Sequence, residues 1–183
     1  MKIGIDIDGV ISNFVKNFIK IVKKEYFIDL REQDIYAHDL FLVLGITEEE
    51  AMKLIHKTLI EDLDLISGAK KSINQLKNKH EIYLLTARSD DFNSNTKNWL
   101  KRKGIPYDEL IHLDEGRKYQ ANLKLDIIVE DNLKDAIRWI DKSNEVIIFD
   151  HPWNRSLNVS KLFKRAFNWQ EIVEIVHARE TRS

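Results

Sequence analysis

The chain has 183 residues, of which 43% are hydrophobic and 32% charged, an ordinary globular mix that suggests one domain or a domain with a small insert. Its 29 basic and 30 acidic residues leave a net charge of −1, which gives no electrostatic footprint for duplex nucleic acid or an anionic membrane. The lack of cysteine excludes disulfides, thiolate zinc sites and cysteine nucleophiles, and no apolar stretch approaches the roughly 20 residues that cross a bilayer, so a cytoplasmic location is expected.

The first expected element is a buried strand over Ile3 to Ile7, which runs into two carboxylates, Asp6 and Asp8, and then Gly9. From Phe14 to Ile66 the periods are helical and no strand is evident. "FVKNFIKIVKKEYF" is amphipathic, and "TEEEAMKLIHKTLI" opens on the capping-box pair Thr47 and Glu50. Residues 14–66 are therefore expected to form a helical insert, with 1–13 and 67–183 making the main body.

Beyond residue 66, strands and helices alternate. "GAKKSINQLKNKH" reads as a helix and leads into a strand over Glu81 to Leu85. "DFNSNTKNWLKRKG" follows as a helix with Gly104 as its cap, then short strands over Leu110 to Leu113 and Asp126 to Val129. "NLKDAIRWIDKSN" is the next helix, Glu145 to Phe149 the fifth strand, and "NWQEIVEIV" a final helix with Asn168 and Glu171 as a capping-box pair. Such alternation predicts an α/β fold: a three-layer, Rossmann-like parallel sheet with helices on both faces and a small helical cap inserted after the first strand.

In a strand, residues two apart share a face, so Asp6 and Asp8 are expected to project together near the strand's carboxyl end, where open α/β sheets bind ligands. Gly9 permits a tight turn there. The two acids could equally cap a turn. Other strand ends favour chemistry: "LLTARSD" places Thr86 at one, "IIVEDN" places Glu130 and Asp131 at another, and Lys118 lies upstream of the latter. Carboxylates gathered in this way repel unless a cation joins them, and an all-oxygen set suits Mg²⁺ shared with a substrate phosphate.

These stretches resemble the haloacid dehalogenase-like phosphatases, with "DIDGV", Thr86, Lys118 or a neighbour, and "ED" at 130–131 standing for the four motifs in order. "DIDGVISNF", "SGAKKSINQLKNKHEIYLLTAR", "DIIVEDN" and "HPWN" are similar, more closely, to the cytosolic type C 5′(3′)-deoxyribonucleotidases and their bacterial nucleotidase relatives. The resemblance implies a Mg²⁺-dependent phosphomonoesterase. Asp6 would be the nucleophile and Asp8 the general acid and base, protonated at the outset because neighbouring negative charge raises its pKa. The metal would be held by Asp6, the Asp8 carbonyl and Asp131. Thr86, Ala87, Gly9 and Lys118 would bind phosphate, and Glu130 and Asn132 would lie just outside the ligands.

Phe14, eight residues after Asp6, would stack on a nucleobase, or else pack under the cap. Arg88 would touch substrate or merely close its loop; Tyr36, His38 and Phe41 are candidates for the cap lining. Arg117 and Lys124 remain alternatives to Lys118, and "HPWN" at 151–154 lies beyond the fifth strand's carboxyl end within reach of the site, with packing on the sheet favoured over a site role for its Trp153. The implied partner is a small phosphomonoester, a nucleotide first, with neither duplex nucleic acid nor a membrane; a homodimer stays open. A sugar-phosphate phosphatase and a non-catalytic phosphate-binding regulatory domain are the competing readings.

Overall fold

The computed structural model describes residues 1–113, 118–120, 123–155 and 162–181. Its centre is a parallel sheet in which apolar strands are buried on both faces, which is why they read as continuous runs rather than alternations. In chain order these are β1 (Lys2–Asp6), β2 (Glu81–Thr86), β3 (Glu109–His112), β4 (Leu125–Glu130), β5 (Ser143–Phe149) and β6 (Lys164–Ala166). The order across the sheet is β3-β2-β1-β4-β5-β6, with every neighbouring pair parallel. The chain winds outwards from β1 in both directions, so a crevice opens beyond the carboxyl ends of β1 and β4.

The helices divide between the two faces. Ile3, Ile5, Ile82, Leu84, Ile127 and Val129 face one layer, where α4 (Ala69–Lys77), α5 (Asn93–Lys103) and α7 (Trp169–Glu180) bury Ile73, Trp99 and Ile172. Tyr83, Leu85, Ile128 and Ile148 face the other, where α6 (Leu133–Trp139) buries Ala136 and Trp139. The expected ends hold locally: Gly104 caps α5 in the left-handed conformation, and Asn168 Oδ1 accepts from Glu171 N at the start of α7.

Between β1 and α4 lie α1 (Phe14–Tyr26), α2 (Leu40–Leu44) and α3 (Glu48–Leu59). Val15, Phe18, Ile21 and Val22 form the apolar stripe of α1 and pack with Ile35, Leu40, Leu54 and Trp153 in a cluster separate from those of the sheet. Thr47 and Glu50 form the reciprocal cap at the start of α3. The chain leaves and re-enters the main body side by side, strapped by Asn13 N to Asp64 O and Ile66 N to Ile11 O. Leu59 and Leu63 belong to the sheet's own cluster, so the last turn of α3 and the loop after it rest on the main body.

Two differences from the sequence reading concern the sheet. β1 ends at Asp6, and Asp8 lies beyond it in a turn, bridged to Ser12, instead of continuing the strand. A sixth strand, β6, joins the far edge; it was not expected, because "KRA" has no apolar run and an edge strand needs none.

Candidate active site

Asp6 stands at the end of β1, and Glu130 and Asp131 stand at the end of the adjacent β4. Lys118, in a short 3₁₀ turn over Lys118–Gln120, reaches between them: its Nζ lies 2.6 Å from Asp6 Oδ1, 3.0 Å from Glu130 Oε1 and 3.9 Å from Asp135 Oδ2. All five side chains are buried. Burial pushes the Asp6 carboxyl up to about 7; Lys118 opposes the rise, and Asp131 adds to it. Glu130 is likewise raised well above its ordinary value, by burial first. Burial works against the Lys118 charge, but Asp6, Glu130 and Asp135 outweigh it and hold its pKa well above the usual value.

This floor has too little positive charge for its carboxylates. Oxygens of Asp6, Glu130 and Asp131 lie within 4.8 Å of one another, and Glu130 Oε2 is buried without a hydrogen-bond partner among the described residues. The donor set is all oxygen and suits a hard divalent cation such as Mg²⁺.

Asp8 differs from expectation. Arg88 grips it from β2's loop through Nε to Oδ2 and Nη2 to Oδ1, both at 2.7 Å, and Ser12 Oγ donates to Oδ1 at 2.6 Å. Burial alone would raise its pKa, but the guanidinium and the Ser12 hydroxyl outweigh burial and hold the carboxyl below the usual range. Asp8 is therefore an ionised carboxylate here, not the protonated acid expected from its acidic neighbours. Arg88 is itself buried and borders the cavity, with Nε and Nη2 committed to Asp8 and Nη1 on Thr96 Oγ1.

A cavity of about 870 Å³ covers this floor. Asp6, Asp8, Gly9, Ala87, Lys118, Asp131 and Asn132 line its base, and Phe14, His38, Phe41, Met52 and His56 line the side formed by the helical insert. Phe14, the first residue of α1, is stacked on Phe18 at 5.9 Å, so it lines the cavity and packs in the insert at once. Phe92, from the main body, meets His56 with ring centroids 5.2 Å apart. Tyr36 is not among the lining residues; it is 62% exposed and donates its hydroxyl to Leu42 O.

Thr86 is fully buried at the end of β2, where its Oγ1 accepts from Arg88 N. Ala87, next in the chain, reaches the cavity instead. The Gly9 N–H donates to Ser12 O, so it closes the turn rather than facing a phosphate. Asn132 caps α6 through Lys134 N and turns its amide to the His38 ring at 3.3 Å. Lys124 is exposed at the start of β4, away from the crevice, and Arg117 lies outside the described residues.

The segment after β5 reaches the site, and its individual contacts could not be read from the sequence. Trp153 Nε1 donates to Asp131 Oδ2 at 2.9 Å, and Asn154 Nδ2 donates to Asp131 O at 2.9 Å and Phe149 O at 2.8 Å. His151 Nε2 donates to Gly9 O at 2.7 Å. Trp153 thus packs with the insert, not on the sheet, and points its one polar atom into the site. The place of "HPWN" just past a strand's carboxyl end was the only signal for this.

The fold is that of the haloacid dehalogenase-like proteins, with the acid-lysine crevice at the carboxyl ends of its strands. Solved structures agree in fold: a haloacid dehalogenase-like hydrolase of Streptococcus pneumoniae has a TM-score of 0.70 at 13% identity, covering 96% of this chain and 97% of that one. A hydrolase of this type from Bacillus subtilis, bound to magnesium, has a TM-score of 0.62 at 11% identity, covering 95% and 97%. The chain belongs to the cytosolic type C 5′-nucleotidase family (5′ nucleotidase, deoxy, pyrimidine), whose model matches residues 1–181. It is similar to a nucleotidase of Clostridium acetobutylicum, 29% identical over 182 residues, which span 96% of this chain and 93% of that protein. It is also similar to a 5′(3′)-deoxyribonucleotidase of Bacillus subtilis, 25% identical over 174 residues, 93% and 95% of the two chains. The protein is accordingly a phosphatase of the 5′-nucleotidase kind. Among the described residues no helix is long and apolar enough to cross a membrane.

Proposed function

We propose that the enzyme hydrolyses nucleoside monophosphates, deoxyribonucleotides first, through an aspartyl-phosphate on Asp6, with Mg²⁺ as cofactor. The observation that carries this reading is Asp6 at the end of β1, 2.6 Å from Lys118 and close to the carboxylates of Glu130 and Asp131, on the floor of a large covered cavity.

Asp6 would hold the cation with Asp131 and the Asp8 carbonyl, and Glu130 would orient its water shell. Bound there, Mg²⁺ would neutralise phosphoryl oxygens that otherwise repel an anionic nucleophile. The Asp6 carboxylate attacks phosphorus, the ester P–O bond breaks, and the leaving oxygen takes its proton from Asp8 in its protonated form. Lys118 neutralises charge on the transferring group, and Ala87 flanks it. Water then cleaves the aspartyl-phosphate, giving its proton to Asp8. The ionised Asp8 held by Arg88 suits this second step. Protonating the leaving oxygen requires Asp8 to carry a proton, which loosening of the Arg88 pairing favours.

Residues 14–66 act as a cap that excludes water and supplies specificity, with Phe14 against the base and His38 and His56 within the same lining. The test is phosphate release from a panel of ribo- and deoxyribonucleoside 5′- and 3′-monophosphates and sugar phosphates, with and without a chelator, beside Asp6→Asn. Turnover on deoxyribonucleotides that is lost in the variant and on chelation is the expected result. Turnover surviving in Asp6→Asn would refute the covalent route, and turnover on sugar phosphates alone would refute the substrate.

A further inference from the structure

We propose that Trp153 is a positioning residue for Asp131, fixing through its indole N–H which carboxylate oxygen is left to face a divalent cation. The inference rests on the reading of Asp131 as a metal ligand. Asp131 Oδ2 is confined between two walls. On one side is the Trp153 Nε1 donor at 2.9 Å. On the other is Gly9, where a Cβ would stand 2.1 Å from the same oxygen. The backbone of Asp131 is pinned separately, its carbonyl accepting from Asn154. Both ends of the residue are therefore held by one short segment, Trp153–Asn154, which contributes no charge of its own.

The choice of donor matters chemically. An arginine or lysine at this position would cancel the negative charge that a cation needs. An indole donates one hydrogen bond, cannot accept, and neither binds the metal nor titrates. It orients the carboxylate while leaving its charge intact, in the way that neighbours of metal ligands do. The ring is itself immobilised. It lies on the His151 imidazole at 4.1 Å and 7°, and His151 in turn donates to Gly9 O. Its remaining surface packs with Val15, Phe18 and Ile35 of the insert. One side chain thus touches the insert's apolar core and the Asp131 carboxylate together, so packing of the insert and alignment of Asp131 are mechanically linked.

Trp153→Phe keeps an aromatic ring and removes the donor together with the second ring of the indole; Trp153→Tyr is the second variant should the first pack poorly. Binding of Mn²⁺ to the full-length protein is measured directly from the loss of the free-ion resonance signal, with Mg²⁺ as competitor. Melting of the metal-free protein is followed alongside. Wild type should bind, and Trp153→Phe should bind about 10- to 100-fold more weakly, while the metal-free variant still melts in one cooperative transition at a temperature lowered by the lost buried hydrogen bond. In an Asp131→Asn background the same substitution should have no further effect on binding, because the tryptophan acts through that carboxylate. Wild type and Trp153→Phe binding equally well would overturn the inference and leave the metal site standing. An equal loss in the Asp131→Asn background would also overturn it, since the effect would then be general loosening. A wild type that binds no Mn²⁺ would overturn the metal site and the inference together.

Discussion

Gly9→Ala is the sharpest test of how the site is built. Gly9 has φ +83°, a conformation that costs other residues roughly 1–2 kcal/mol. Its missing Cβ would lie 2.1 Å from Asp131 Oδ2 and 2.6 Å from Cγ. Restoring ordinary contact moves the carboxylate by about 1.3 Å. Asp131 cannot make that move without giving up its bond from Trp153, a hydrogen bond to a charged group worth about 1.5–3 kcal/mol. Together these predict a loss of about 2.5–5 kcal/mol, which in a chain of this size lowers the melting temperature by roughly 5–20 °C. Misplacing a catalytic group by about 1 Å costs on the order of 100-fold in turnover. Gly45→Ala is the matched control. Gly45 has φ +65° with nothing within 4 Å of the added Cβ, so it carries the conformational cost alone and should keep full activity. Thermal melts and phosphate release on the three proteins make the comparison. A Gly9→Ala protein that melts like Gly45→Ala and turns over at the wild-type rate would refute the placement of Asp131 against Gly9.

Arg88→Gln removes the grip on Asp8, whose folded pKa is depressed; the pairing stabilises the protein above the ordinary carboxylate range and ceases to do so as pH falls through the folded value. Denaturant melts should show the full penalty at pH 7 and a shrinking one in acid, and a penalty constant with pH would contradict the ion-pair account. Asp6 has the opposite sign: its folded pKa of about 7 lies above the usual 3.8, so its ionisation destabilises the metal-free fold increasingly as pH rises through that window. Asp6→Asn should therefore gain stability relative to wild type between pH 4 and pH 8, and saturating Mg²⁺ should cancel that gain by stabilising wild type; a flat difference would count against the strained carboxylate. Phe14→Ala should raise KM for nucleoside monophosphates by about tenfold, the value of one aromatic stack, and leave glycerol phosphate unaffected. Equal losses on both substrates would assign Phe14 to packing alone.

Much of this protein was legible residue by residue. The isoleucine run into Asp6, the acids after β4, the helical periods of 14–66 and the caps at Thr47, Gly104 and Asn168 all depend on neighbours within a few positions. Propensity, periodicity and capping act over that range, so strands, helices and the ends that carry chemistry could be placed from the chain itself. Lys118 could be singled out by its place before β4, but only the register of β1 beside β4 puts its ammonium between Asp6 and Glu130, 112 and 12 residues away.

What the tertiary structure decided is who faces whom. The protonation of Asp8 was misjudged because its acidic neighbours are close in sequence, whereas the guanidinium that governs it comes from 80 residues away. β6 had no local signal because an edge strand is specified by the partner it pairs with. Trp153 looked like a packing residue, and it is one, but its N–H meets a carboxylate 22 positions earlier. Electrostatic and hydrogen-bond energies depend on distance in space, and the sequence by itself carries only distance along the chain.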